Sequence, residues 1–399
     1  MIEKSLLDRV LRHIRVGTLK VTYWDGQTKT YGSGNPKINL TVKSAKVARA
    51  LARNVSLGFG EAYMNGQITT RSDLTDLVGL SHFNKATFKS LERLRPLLPK
   101  RLNRNKRKKQ AKQIQHHYDL GNDFYKLWLD KSMTYSCAYF KKPTDSLEKA
   151  QSQKVEHVLR KLQLKPGMKL LDIGCGWGQL LIRAAQEFGV TGHGITLSKE
   201  QYKLCTEKAK KLGLADKLTF ELSNYQDLAE RAGLQYDRIV SVGMFEHVGR
   251  GNHKKYFKAV DKMLKPGGVT VFHTISNQQP MPTDAWIDRY IFPGGYLPAV
   301  SEVAELYQDF SWRLLDYENL RQHYAMTLNH WHRRYLDHKA EIVKRYGDKF
   351  DRMWQLYLSG SESGFRDGEL GLSQFVFSKG INSQLALTRD HIYPKTTSK

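Results

Sequence analysis

The 399-residue chain is 40% apolar and 11% aromatic, a composition that argues against disorder and allows two units, each with a core of its own. Its 64 Lys and Arg against 39 Asp and Glu give a formal net charge of +25, which points to a polyanionic partner, either nucleic acid or an anionic bilayer surface. Cys137, Cys175 and Cys205 form no C-x-x-C pair, which argues against a disulfide framework and a thiolate zinc centre, so no metal site is expected.

The opening residues, with Glu3, Lys4, Asp8, Arg9 and Arg12 among the apolar ones, lack the apolar region of a signal peptide. No run approaches the roughly eighteen apolar residues of a membrane span. A cytoplasmic protein is the expectation, one that would meet a membrane only from its surface.

Leu6 to Ile14 has helical spacing. Thr18–Trp24 and Thr28–Tyr31 flank Asp25-Gly26, a pair suited to a tight hairpin turn. Helices are expected around Ala45–Ala52 and Leu74–Leu80, separated by the glycine-bearing stretch Leu57–Gly66. These elements predict a small α+β domain over residues 1–95. Residues 96–112 then read as a basic linker: between Lys100 and Lys112 lie eight Lys or Arg, with Leu102 and Ala111 the only aliphatic residues. Such a stretch cannot bury a core. It is either a solvated connector or a contact for headgroups and phosphates.

From residue 165 strands and helices alternate. Lys169–Ile173, Val190–Ile195, Leu218–Leu222, Arg238–Val242 and Val269–Thr274 are short apolar runs with helical patterns between them, which predicts an α/β domain with a parallel sheet over residues 113–399. Beyond Ser301 come aromatic-rich helices and a strand-like run, Gln374–Phe377, that would cap the sheet's edge.

Leu170-Leu171-Asp172-Ile173-Gly174-Cys175-Gly176-Trp177-Gly178 reads as a strand ending in a glycine loop that opens a helix. Glycines there let the backbone turn sharply and approach a ligand closely, and the helix start offers its amides. The spacing is not that of the G-x-G-x-x-G fingerprint, and Asp172 precedes the first glycine, so a nicotinamide cofactor is disfavoured. The segment instead resembles the first motif of class I methyltransferases dependent on S-adenosylmethionine (SAM), which implies a Rossmann-like fold and SAM. In most such enzymes an acid closes the second strand to hold the ribose. Here Gly194-Ile195 is followed by Thr196-Leu197-Ser198-Lys199-Glu200-Gln201, leaving Thr196 and Gln201 as the polar candidates.

That departure accompanies Tyr118–Tyr125 (YDLGNDFY), Met133–Phe140 (MTYSCAYF), Gly243–Gly249 (GMFEHVG) and His273-Thr274-Ile275. Together, in this order, they resemble the cyclopropane fatty acid synthases and their mycolic acid relatives. The likeness covers most of residues 113–380 and extends more loosely into the first domain. It implies transfer of a methylene unit from SAM to the cis double bond of an unsaturated acyl chain in a membrane phospholipid. For the cofactor it implies Tyr135, Ser136, Asp172, Gly174, Cys175, Gly176, Trp177, Gly178, Thr196, Ser198, Gln201, Tyr225 and Gln226. For a pocket holding a bicarbonate ion it implies Cys137, Glu246, His273, Ile275 and Tyr324. Read singly, Cys137 suits a buried small residue, His273 a core histidine and Glu246 a helix cap; only the set reads otherwise. A homodimer is common among similar bacterial enzymes.

The chemistry explains such a set. An alkene is a poor nucleophile and must be held in line with the sulfonium methyl in a dry site. Methyl transfer leaves a carbocation, and the ring closes only when a base removes a proton from the new methyl group. The positive charge equally suits a nucleic-acid methyltransferase, but the chain carries no Asn-Pro-Pro-Tyr segment and no Pro-Cys pair, so no nucleic-acid partner is expected.

Overall fold

The computed structural model describes residues 2–85 and 120–393. The basic linker, the expected boundary at 95, Tyr118 and Asp119 lie outside the described residues. Two compact units are formed. The first holds the described residues to 85 together with Thr283–Pro293 and Leu328–Leu370; the second holds 120–282, Gly294–Thr327 and 371–393. The division is therefore not the contiguous one expected from the sequence, because two later segments bury their apolar side chains in the first unit.

In the first unit β1 (Val16–Thr22) is flanked on both sides by β2 (Thr28–Val42), which doubles back: Leu19 faces both Tyr31 and Ile38, and Val21 faces both Lys29 and Leu40. The expected hairpin strand stops at Tyr31, but the chain bends through Gly32 and Gly34, both at positive φ, and continues as strand to pair with β3 (Ile68–Thr70). Leu57–Gly66 is not the expected break. Val55–Met64 is a helix, capped by the Asn54 side chain accepting from the Leu57 amide at 3.0 Å. Glycine costs such a helix about 1 kcal/mol per residue. Here it permits close packing: Gly58 lies on the backbone of Ala50, and Gly60 on the indole of Trp286, where a Cβ would collide. The indole N–H of Trp286 also donates to Met64 Sδ at 3.1 Å.

The second unit is built on a sheet in the order β6-β5-β4-β7-β8-β10-β9, with β4 (Lys169–Ile173), β5 (Thr191–Thr196), β6 (Leu218–Leu222), β7 (Tyr236–Val242), β8 (Leu264–Asn277), β9 (Trp312–Asn319) and β10 (Leu370–Lys379). The five strands β4 to β8 are parallel, as the alternation predicts. The chain winds outward from β4 to β6 and then returns to the other side of β4 at β7. This reversal opens a crevice at the carboxyl ends of β4 and β7, where open α/β sheets bind ligands.

The expected capping strand is longer than Gln374–Phe377 and is not at the edge. β10 lies inside the sheet, buried along nearly its whole length, with Val376 in the core on one face and Phe375 and Phe377 in the core on the other. Burial on both faces erases the period-two pattern. The edge is β9, antiparallel to β10 and largely exposed. Among the described residues no helix is long and apolar enough to cross a membrane.

Candidate active site

β4 runs directly into the glycine loop. Gly174, Gly176 and Gly178 take φ of 86°, 54° and 82°, values that carry a penalty for any residue with a Cβ. The amides of Gly174 and Cys175 both donate to the carbonyl of Ile195 at the end of β5, at 2.9 and 3.0 Å. At Gly174 a Cβ would stand 2.9 Å from Met244, and at Gly178 it would stand 2.9 Å from Cys205. The loop is thus wedged between the ends of β5 and β7, and Gly178 starts the helix Gln179–Phe188.

A cavity opens over this loop. Its wall includes Tyr135, Ser136, Asp172, Gly174, Cys175, Gly176, Trp177, Thr196, Gln201 and Tyr225. Three further candidates stand behind it. Gly178 caps the helix, the Ser198 hydroxyl accepts from the Gln201 amide at 3.3 Å, and Gln226 donates through Nε2 to the Tyr225 hydroxyl at 3.0 Å. Thr196 donates to Gln201 Oε1 at 2.7 Å, so the two polar residues that replace the usual ribose acid hold each other. Trp177 donates to Asn122 Oδ1 at 2.8 Å, and Asn122 donates to Glu200 at 3.1 Å, which gives the N-D-F-Y segment its place.

The segment 133–140 forms the opposite wall. Met133 is held at φ 64°, a left-handed conformation that costs about 1–3 kcal/mol and persists only where its surroundings impose it. Here Asp130 accepts from the amides of Ser132 and Thr134 at 2.8 and 3.0 Å, and Gln151 Nε2 donates to the Ser136 carbonyl at 2.8 Å.

Sequence reasoning passed over Lys154. It lies 3% exposed on the helix Leu147–Lys161, lines the cavity and donates to Ser136 Oγ at 2.8 Å. Burial pulls its ammonium down to about 8, while Cys137, Asp130 and Asp172 oppose that shift. A signal was present: Leu147, Ala150, Lys154, Val158 and Lys161 follow helical spacing, so two lysines occupy positions of the apolar stripe. Asp172 is 3% exposed, its Oδ1 has no hydrogen-bond partner among the described residues, and burial raises its carboxyl to about 7 against the attraction of Lys154.

Beside the cavity, Met244 and His247 belong to its wall, and Glu246 sits between them on the short turn Phe245–His247. Glu246 Oε1 accepts from the Ile275 amide at 2.7 Å, whereas Oε2 is buried without a partner among the described residues. Burial raises this carboxyl to about 7, against the hydrogen bonds from Ile275 and Thr274. The Ile275 amide is therefore engaged by Glu246 itself.

His273 is 1% exposed on β8, and its Nδ1 lies 2.9 Å from Gln374 Nε2. Cys137 is fully buried, its Sγ pointing to the Ala138 carbonyl at 3.1 Å, and burial drives its thiol well above the ordinary range. Tyr324 lies on the helix Arg321–Asp337, which is fastened to the Cys137 segment by Thr327 Oγ1 accepting from the Ala138 amide and His323 Nδ1 accepting from the Phe140 amide, both at 3.0 Å. The structure thus joins Glu246 to Ile275 directly, and Cys137 to the helix of Tyr324 through neighbours.

A parallel sheet reversing at β4, a glycine loop and a buried acid facing a cavity at the strand ends define a class I SAM-dependent methyltransferase. The comparisons narrow the class. The model of the mycolic acid cyclopropane synthetase family matches residues 105–375, and residues 6–92 match a domain of unknown function. A cyclopropane-fatty-acyl-phospholipid synthase of Escherichia coli is 39% identical over 90% of this chain and 92% of its own length. A probable fatty acid methyltransferase of Pseudomonas putida is 36% identical over 94% and 96%. A solved mycolic acid cyclopropane synthase, complexed with SAH and CTAB, is 32% identical with a TM-score of 0.63, covering 67% of this chain and 98% of that one. The chain belongs to the mycolic acid cyclopropane synthetase family, and it is an enzyme of the SAM-dependent class.

Proposed function

We propose that the enzyme transfers a methylene unit from SAM to the cis double bond of an unsaturated phospholipid acyl chain and closes a cyclopropane ring. The observation that carries this reading is Glu246 Oε2, a buried carboxylate oxygen without a partner among the described residues, on the turn whose neighbours Met244 and His247 wall the cavity. Ring closure needs a proton acceptor in a dry place beside the methyl donor, and a carboxyl raised to about 7 is poised for proton transfer near neutral pH.

The residues present fit SAM. Asp172 Oδ1 is an unsatisfied buried acceptor on the cavity wall, suited to a cationic ligand, and the glycine loop leaves room for close approach: a Cβ at Gly176 would meet nothing within 4 Å. When bound, SAM supplies an electrophilic methyl group. Asp172 would attract its positive charge, Lys154 and Ser136 would face its carboxylate, and Trp177, Tyr135 and Tyr225 would pack on its rings.

A bicarbonate ion also fits, because Glu246 Oε2 is buried without a partner among the described residues and His273 is engaged by Gln374 at Nδ1; Glu246, His273 and Tyr324 would hold it, with the amide of Cys137. Its chemistry would be that of a small base. Cys137 itself, with its thiol pushed up by burial, is not a thiolate nucleophile at neutral pH.

The lipid substrate is supported by the 39% identical phospholipid-acting relative, and peripheral docking on an anionic bilayer by the +25 charge; docking from the cytoplasmic side and assembly as a homodimer belong to the same reading. So do a lipid-binding role for the first unit, a headgroup contact by the basic residues 96–112, and SAM binding by the second unit.

The deciding measurement is mass spectrometry of acyl chains after incubation with SAM and vesicles of a cis-unsaturated phospholipid. The expected product has gained CH₂ with loss of the double bond, confirmed as a ring by gas chromatography. A methyl branch would instead support the second reading, a fatty acid methyltransferase, which the Pseudomonas putida relative favours. Neutralising Lys106, Arg107, Lys108 and Lys109 together should weaken binding to anionic vesicles, most visibly at low salt.

A further inference from the structure

His273 is the inner end of a chain of buried polar groups that the proposed reaction leaves unexplained. Gln374 Nε2 stands 2.9 Å from His273 Nδ1, and Gln374 Oε1 accepts from Lys161 Nζ at 2.7 Å. Lys161 also donates to Glu318 Oε2. The same oxygen meets His157 Nε2 at 2.6 Å, and Glu318 Oε1 accepts from the Tyr393 hydroxyl at 2.7 Å. His273, Gln374 and Lys161 are each at most 1% exposed. Burying a lysine together with two histidines costs free energy unless they are paired, and this arrangement has a directional consequence.

An ammonium has donors only. Burial lowers the Lys161 ammonium, and Glu318, whose carboxyl is held far below the usual range by His157 and Lys161 despite its burial, opposes that shift through a direct ion pair and favours the charged form. Lys161 therefore selects which end of the Gln374 amide it meets: the oxygen must face the lysine, and the NH₂ group must face His273. An amide NH₂ also only donates, so His273 Nδ1 must accept, and the ring proton must sit on Nε2. We propose that Lys161 and Gln374 are positioning residues that fix His273 as the neutral Nε2–H tautomer, so that it offers a hydrogen-bond donor, not a proton acceptor, to the anion pocket that the proposed function assigns to Glu246 and His273.

The inference rests on the proposed function for the meaning of that pocket, but not for the tautomer itself. It sharpens the roles: an imidazolium would need a second N–H, on Nδ1, pointing at the donating NH₂ of Gln374. The cations around it agree, since burial together with Lys154, Lys161 and His157 pushes His273 well below its ordinary value, with Glu318 alone opposing. A neutral His273 with its proton on Nε2 cannot take the proton removed from the methyl group on that side, which leaves the bicarbonate ion or Glu246 of the proposed function as its acceptor.

The test is ¹⁵N NMR of the full-length protein labelled at histidine nitrogens, with the His273 signals assigned by their loss in His273→Gln. The expected result is the Nε2–H tautomer, unprotonated at Nδ1 throughout the neutral range. Gln374→Glu keeps the shape and the acceptor for Lys161 but makes the inner group an acceptor. It should switch His273 to Nδ1–H or to imidazolium and lower kcat by at least about tenfold, with KM for SAM within about twofold. Lys161→Arg should retain the wild-type tautomer, whereas Lys161→Met should not. A wild-type His273 protonated on Nδ1, or a tautomer unmoved by Gln374→Glu, would overturn the inference. Full turnover in His273→Gln would overturn the functional reading instead, whichever tautomer the wild type shows.

Discussion

Two neighbouring regions of the second unit make their ligand surfaces from different materials. At the end of β4 the cavity floor is backbone: three glycines at positive φ, fixed by amide bonds to Ile195. Past the end of β7 and on β8 stand two single side chains, Glu246 and His273, each held by partners far away in sequence. Glu246 is 29 residues from its amide donor Ile275, and His273 is 101 from Gln374. The first design binds whatever fits a close backbone approach, and it tolerates changes in side chains around it. In the proposed function the second places charge and protons, so one atom exchanged for another should leave binding intact and remove the reaction.

The sharpest way to break this comparison is Glu246→Gln. Turnover should fall by about 10²–10⁴-fold, while SAM affinity measured by calorimetry stays within about twofold. An equal loss of both would mean that the two regions are one. The converse change, Gly174→Val, puts a branched side chain at φ 86° with its Cβ 2.9 Å from Met244. SAM binding should weaken by at least about tenfold, and thermal unfolding should report about 1–3 kcal/mol of lost stability.

A pH titration of SAM binding tests the electrostatics of the first region. Asp172, raised to about 7, is neutral below that pH and charged above it. Affinity for the cationic ligand should therefore fall as pH drops through about 7, by at most about tenfold per unit for one proton. Asp172→Asn should bind more weakly and lose this dependence. The smallest effect is expected from Asn122→Ala, which removes one hydrogen bond to Trp177 and one to Glu200. A loss of about 1 kcal/mol, or roughly fivefold in SAM affinity, is the expectation, with kcat unchanged at saturation.

The same contrast explains what could be read in advance. The glycine loop and the parallel strands are local patterns, and β4 runs from Lys169 to Ile173 as the apolar run predicts. Thr196 and Gln201 could be picked out as polar neighbours of the loop, because Thr196 ends β5 and Gln201 stands in the first turn of the helix that follows. The helix Val55–Met64 was not, since its glycines answer to Ala50 and Trp286 and not to helix propensity. Nor was the interior position of β10, whose continuous burial leaves no alternation to read. Lys154 and Lys161 share the helical phase of Leu147, Ala150 and Val158, and their burial depends on what the rest of the chain packs against that face.

By itself the sequence determined the sheet's parallel core, the glycine loop and the residue types near the chemistry, because turn geometry and hydrophobic periodicity act over a few residues. Only the tertiary structure decided that two late segments join the first unit, that Asp172 and Glu246 are dry enough to hold protons near neutrality, and that Lys161 speaks to His273 through Gln374. Desolvation and hydrogen-bond direction depend on what closes over a group from distant parts of the chain, and no local pattern records that.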